Sequence, residues 1–266
     1  TKPFRFWQWL IKQVKTQHPE VIFLSEAFTR PAVMYHLAKV GFTQSYTYFT
    51  WRNTKQELID YFNELKSEPL RHFFWPNLWP NTPDILSPYL QAGGTPAFIT
   101  RLILAATLGS NYGIYGPVFE QCLNTPLKPG GEEYRDSEKY EIKHWDKEKN
   151  VLRPLITQIN KIRRLHKALY DFANLSFHKT DNDQLLCYSK CDASFHDIII
   201  VVVNLDYRFF QSGWVDISVE DLGIKGSHYK VHDLLTNEVY VWQRHNFVAL
   251  DPNKMPAHIL HVRMTE

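Results

Sequence analysis

Glu26 stands at the end of the apolar run Val21-Ile22-Phe23-Leu24-Ser25. A carboxylate there is partly desolvated. Desolvation raises a carboxyl pKa and suits it to general acid catalysis. A second reading has Glu26 capping the next helix or pairing with Arg30. The residue types alone leave both open. Asp84 ends Asn81-Thr82-Pro83-Asp84 and offers another carboxylate, although Asp after Pro is also ordinary turn and N-cap chemistry. Tyr115 and Glu120, in Gly113-Ile114-Tyr115-Gly116-Pro117-Val118-Phe119-Glu120, form a third polar group. The 12 histidines are scattered, and no expected helix carries a pair at metal-ligand spacing, so no metal site is expected. Cys187 and Cys191 lack a second cysteine pair or nearby histidines, which argues against zinc.

The elements that must hold these residues alternate. Residues 4–17 have helical apolar spacing, and 21–28 read as a buried parallel strand. Pro31 opens a helix that Gly41 stops. Residues 42–51 alternate and are rich in aromatic and β-branched types, which predicts a strand. Thr54 and Glu57 form a capping-box pair at the head of a helix over 54–66. A short strand in the proline-rich 71–84, a helix over 96–108, a strand over 112–116 and a helix over 151–169 follow. This βα alternation predicts a parallel sheet, about half of a (β/α)8 barrel. In such a barrel the working residues sit at the C-terminal ends of strands, where Glu26, Asp84 and Tyr115 fall. From about residue 172 the pattern changes to eight short β segments separated by turn signals, which predicts an antiparallel β-sandwich. The expected division is therefore a half-barrel over 1–170 and a sandwich over 171–266.

Composition narrows the function classes. Thirty basic against 28 acidic residues leave a net charge of +2, too balanced for a strongly electrostatic nucleic-acid binder. No apolar run has the length of a membrane span. Three cysteines make no disulfide framework and predict free thiols in a reducing, cytoplasmic setting. Aromatics are 15% of the chain, enough to line a cleft as well as fill a core.

The run from Val21 to Leu58 resembles the general-acid region of the bacterial α-1,4-glucan:maltose-1-phosphate maltosyltransferases, in the α-amylase superfamily. The stretches NTPDILSPYLQAGG, EEYRDSEKYEI, FHKTDNDQLLCYSK and VVVNLD resemble the same proteins, so the likeness covers essentially the whole chain. The resemblance implies a (β/α)8 barrel followed by a C-terminal β-sandwich. It implies that Glu26 is the general acid/base and Asp84 the carboxylate that stabilises the transition state. Asn81, Lys139 and Tyr140 would bind substrate. The expected substrates are maltose 1-phosphate and an α-1,4-glucan acceptor, in glycogen or α-glucan synthesis, with no cofactor, nucleic acid or membrane. The chain departs from the family wording at Pro117 and Val118.

Thr1-Lys2-Pro3 resembles the tail of the family's nucleophile motif, so the nucleophilic Asp is expected four residues before Thr1. The chain then reads as a C-terminal fragment, inactive alone, whose partner is the missing N-terminal half. The complete enzyme is expected to be a homodimer. Tyr46, Tyr48, Phe49 and Trp51 are candidates for the wall that keeps water from the intermediate, with barrel packing the alternative for about half of them. Two other functions compete. One is another superfamily enzyme, such as an amylase, branching enzyme or trehalose synthase. The other is a non-catalytic carbohydrate-binding module using Tyr207, Phe209, Phe210, Trp214, Tyr240 and Trp242.

Overall fold

The computed structural model describes residues 2–135, 137–139 and 141–263. The chain opens with α1 (Phe4–Gln17), β1 (Leu24–Ser25), α2 (Pro31–Lys39), β2 (Gln44–Tyr46), α3 (Lys55–Leu65) and β3 (Pro76–Leu78). Then come α4 (Pro88–Leu108), β4 (Asn111–Tyr112), α5 (Gly116–Glu120) and α6 (Arg153–Leu165). β1, β2, β3 and β4 pair in that order, all parallel, as the βα alternation predicts.

Local chemistry explains most boundaries. Thr54 Oγ1 accepts from the Glu57 amide, and the Glu57 carboxylate accepts from the Thr54 amide at 3.0 Å, so both halves of the predicted capping box form. The strand predicted over 42–51 stops at Tyr46, and Tyr48–Trp51 form a 3-10 turn. The reason lies in the backbone donors. The Tyr48 amide donates to the Tyr61 hydroxyl at 2.9 Å, and the Phe49 amide donates to Thr47 Oγ1 at 3.4 Å. Those donors are no longer free for a sheet. The helix predicted from Pro96 begins earlier, at Pro88, and changes direction at Gly94, whose φ of 52° lies in the left-handed region. Pro96 cannot donate to the preceding turn, and its ring crowds that turn's carbonyl, so the helix breaks where glycine tolerates it.

The C-terminal part has β5 (Ser176–Thr180), β6 (Leu185–Cys191), β7 (Ile198–Asn204), β8 (Gln211–Asp216), β9 (Tyr229–Asp233), β10 (Val239–Trp242), β11 (His245–Leu250) and β12 (Ala257–Arg263). They pair antiparallel in the order β10-β9-β12-β7-β6-β5-β8-β11. β5 pairs with β6 through His178 and with β8 from Lys179 onward, so the sheet folds over there into two layers. Ile198, Ile200 and Val202 of β7 face the core between the layers, with Val215 and Val248. Ile199, Val201 and Val203 face the other way and join Leu102, Leu104 and Ile159 of α4 and α6. A strand buried on both faces has no polar alternation, which is why Ile198–Val203 is a continuous apolar run. One apolar core therefore passes from the parallel sheet's helices into the antiparallel layer.

Lys190 of β6 lies in that shared core. It is 1% exposed, and its Nζ has no hydrogen-bond partner among the described residues. Burial first, and the nearby Arg163 charge second, push its pKa down to about 7. An unfolded lysine keeps its proton to roughly pH 10.4. The unfolded chain therefore binds more protons between about pH 7 and pH 10.4, and stability rises with pH across that window. We expect Lys190→Met to raise Tm by several degrees at pH 7, with the gain shrinking toward pH 10. Thermal melts at pH 7 and pH 9.5 check this. An equal gain at both pH values, or a loss, would remove the buried charge as the cause.

Candidate active site

Glu26 follows β1 directly, at the C-terminal end of the parallel sheet. Its side chain reaches solvent. Burial of its surroundings, and then the negative charge of Asp84, push its carboxyl above the ordinary range. The structural alternatives are not met. The N-cap of α2 is Arg30, no side chain caps that helix, and Glu26 makes no ion pair with Arg30.

Asp84 comes from the loop after β3. The turn is held without its carboxylate, because the Asp84 amide donates to Thr82 Oγ1 at 3.2 Å while Thr82 bridges Ile85. The carboxylate is left to meet Lys139, with Nζ at 2.7 Å from Oδ1. Lys139 also lies 3.1 Å from Glu133. The loop between α5 and α6 thus carries an ammonium group to Asp84, whose charge is also felt at Glu26. A pair of like charges would otherwise repel, and the ammonium offsets this on the Asp84 side.

Asn81, expected from the resemblance to bind substrate, is buried in a loop junction. It is 0% exposed. Its Nδ2 donates to the Tyr134 hydroxyl at 2.9 Å, and its Oδ1 accepts from the Tyr115 amide at 2.9 Å. Both ends of the amide make internal bonds, so Asn81 ties the loop after β3 to those carrying Tyr115 and Tyr134. Tyr140 lies outside the described residues. Glu120 accepts from Asn150 Nδ2 at 2.6 Å, a loop anchor away from the carboxylates.

The aromatic candidates separate by contact. Tyr46 lies beside Glu26, whose charge adds to burial in raising its phenol pKa, and its ring stacks on Trp79 at 4.9 Å. Trp51 meets Phe28 edge-on at 5.2 Å, and its Nε1 donates to Glu132 at 3.0 Å. Phe49 is fully buried. Tyr48 donates its hydroxyl proton to the Thr29 carbonyl at 2.7 Å, tying down the loop after Glu26. Tyr46 and Trp51 therefore stay candidates for the wall, and Phe49 is core. A groove of about 770 Å³ runs beside Glu26 between α1, β1 and α2, with Trp7, Phe28 and Phe42 among its lining.

Two supporting residues were not singled out from the sequence. Phe28 is an edge-on neighbour of Tyr46, Tyr48 and Trp51, and so organises the rings around Glu26. Arg101 is 1% exposed and donates to the carbonyls of Arg52 and Phe49 at 2.6 Å each, holding the 3-10 turn that carries Trp51. Its signal was present: a guanidinium inside the apolar run Ile99–Leu108 requires internal acceptors.

Residues 177–262 match the family described as GLGE, C-terminal. An α-1,4-glucan:maltose-1-phosphate maltosyltransferase of Methylacidiphilum infernorum is 49% identical over 98% of this chain. Maltosyltransferase 2 of Streptomyces coelicolor is 50% identical over 99% of it. The chain is a homologue of these maltosyltransferases. It spans about 40% of the length of either relative. Among solved structures, a maltogenic α-amylase of Thermotoga neapolitana aligns over 99% of this chain and 59% of its own, with a TM-score of 0.69 at 14% identity. An α-amylase from H. orenii aligns over 98% of this chain and 57% of its own, with a TM-score of 0.67 at 11% identity. These give the fold, a parallel-sheet portion followed by antiparallel β-structure as in the α-amylases. Among the described residues no helix is long and apolar enough to cross a membrane.

Proposed function

We propose that this chain is the acid/base-bearing part of a retaining glycosyltransferase. The reaction moves maltosyl units from α-maltose 1-phosphate to the non-reducing end of an α-1,4-glucan and releases phosphate. One observation carries the reading. In a chain homologous to maltosyltransferases along nearly its whole length, burial and the charge of a Lys139-paired Asp84 raise the Glu26 carboxyl pKa, at the C-terminal end of the parallel sheet.

In the first step a nucleophilic Asp, supplied from outside these 266 residues, attacks C1 of the donor. The C1–O bond to phosphate breaks, and protonated Glu26 gives its proton to the departing oxygen. A β-maltosyl ester forms. In the second step the Glu26 carboxylate takes the proton of the acceptor 4-hydroxyl, that oxygen bonds to C1, and the ester bond breaks. Two inversions give retention, which requires the nucleophile and Glu26 about 5–5.5 Å apart on opposite faces of the bond. Asp84 would accept from sugar hydroxyls as positive charge builds at C1. Lys139 would hold Asp84 in place and offer a donor to the same sugar. We place the unit boundary at 170/171 and the protein in the cytoplasm, where Cys122, Cys187 and Cys191 would stay as free thiols.

The carbohydrate-module alternative fares worse. Trp242 is only 7% exposed, and the exposed pair Trp214 and Phe247 stand at 66° to each other, so they offer no flat row for a sugar chain. The deciding assay uses the full-length protein with α-maltose 1-phosphate and a maltooligosaccharide acceptor. We expect phosphate release that depends on the acceptor, with chains lengthened by two glucose units. Starch hydrolysis without use of the phosphorylated donor would assign a different enzyme of the superfamily. The 266-residue chain alone is expected to release no phosphate above a Glu26→Gln control.

A further inference from the structure

Far along the sequence from the carboxylates, three chain segments converge on one small polar cluster. His166 ends α6, Asp197 immediately precedes β7, and His261 lies in β12. One ligand atom from each falls within 4.8 Å of the others. We propose that His166, Asp197 and His261 bind a divalent transition cation of the zinc class, with the fourth position left to water.

The geometry suits that ion. Zinc bonds to imidazole nitrogen and carboxylate oxygen at about 2.0–2.2 Å, so tetrahedral ligand atoms stand roughly 3.3 Å apart. His166 Nδ1 is 2.7 Å and His261 Nε2 is 3.6 Å from Asp197 Oδ1, on either side of that separation. The two imidazole rings lie 4.7 Å apart and are tilted by 56°, so both can turn toward one point. Asp197 is already aimed, because its other oxygen accepts from the Ala168 amide at 2.9 Å. The side chains of His166, Asp197 and His261 are 13%, 18% and 28% exposed, which shields the site while leaving an entry path. The end of α6 adds favourable negative potential, since a helix C-terminus attracts cations. Arg263 and His232 lie close enough to His261 to oppose any cation. That selects a metal with strong bonds to nitrogen over magnesium or calcium, which rely on oxygen and charge. On binding, the Nδ1 proton that His166 shares with Asp197 leaves to solvent, Nδ1 bonds the metal, and the ring carries its remaining proton on Nε2, taken from solvent if the ring began neutral. The bound ion would clip the end of α6 to β7 and β12, joining the helical and antiparallel parts.

The three residues are 31 and 64 positions apart and meet only through tertiary packing, so no local spacing marks them as a ligand set. The test is titration of Zn²⁺ against a chromophoric chelator on full-length, chelator-stripped protein, with Tm recorded with and without the metal. One zinc per chain and a Tm rise reversed by EDTA are expected. His166→Ala, His261→Ala and the nearly isosteric Asp197→Asn should each weaken binding at least tenfold and remove the Tm rise. His232→Ala, across the β9–β12 ladder from His261, removes an opposing neighbour and no ligand, so it should bind zinc no more weakly and keep the Tm rise. Circular dichroism of the metal-free variants shows that each still folds, and Asp197→Asn is the variant to trust should an alanine variant unfold. No stoichiometric binding below 100 µM zinc, or binding that survives in folded Asp197→Asn and His261→Ala proteins, would overturn the proposal.

Discussion

Glu26→Gln in the full-length protein is expected to lower maltosyl transfer by about 10²–10⁴-fold, the usual contribution of a positioned general acid/base. The substitution keeps the shape and one acceptor oxygen, so donor binding should change little and the loss should fall on kcat. Both chemical steps need a proton moved at this position, which places the variant near the lower end of activity. The pH dependence gives a second readout. Glu26 must be protonated to assist phosphate departure, and its raised pKa keeps more of that form as pH climbs. Activity limited by the first step should therefore fall as pH rises through the Glu26 pKa. Glu26→Gln should lose that limb and leave a flatter profile over the same range. Steady-state phosphate release between pH 5 and 9 measures both effects. A variant with more than about a tenth of normal kcat would remove Glu26 from the acid/base role.

The parts legible in the sequence were those fixed by local chemistry. Thr54 with Glu57 announced a helix start because both partners lie within four residues. Glu26 stood out for a similar reason, a charge at the end of an apolar strand. Ile198–Val203 was read only as one of eight β segments, because the helices that cover its second face lie far off in sequence. What stayed hidden depended on partners distant in sequence. Residues 47–51 have strand-like composition, but the Tyr61 hydroxyl, from α3, takes a backbone donor that a strand would use. The bonds of Asn81 to Tyr134 and to the Tyr115 amide come from other loops, so no local pattern shows them. Lys139 could be named only by resemblance, because its link to Asp84 spans a loop whose path no local pattern dictates. Residue types thus marked the carboxyls, while tertiary contacts decided which polar neighbours face them and which are structural.

Asp84→Asn should reduce transfer by about 10²–10³-fold, the range seen when one electrostatic stabiliser of a transition state is removed. The carboxamide still accepts hydrogen bonds from sugar hydroxyls, so the loss isolates the charge that balances positive charge at C1. The same substitution acts on Glu26. Asp84's charge is one of two causes that raise the Glu26 carboxyl, and burial, the larger cause, remains. The Glu26 pKa should therefore move down but stay above the ordinary value, shifting the alkaline limb of the pH profile toward lower pH. Lys139 keeps its contact with Glu133 at 3.1 Å, so the loop that carries it has an anchor left when the Asp84 charge is gone. A merely structural role for Asp84 would lower the amount of folded protein and leave the position of the limb unchanged. Transition-state stabilisation lowers kcat in folded protein and moves the limb. Combining Asp84→Asn with Glu26→Gln should cost less than the product of the single losses, because both act on the same step and one group tunes the other. Near-normal turnover in folded Asp84→Asn, with an unshifted limb, would end the assignment of Asp84 to the reacting sugar.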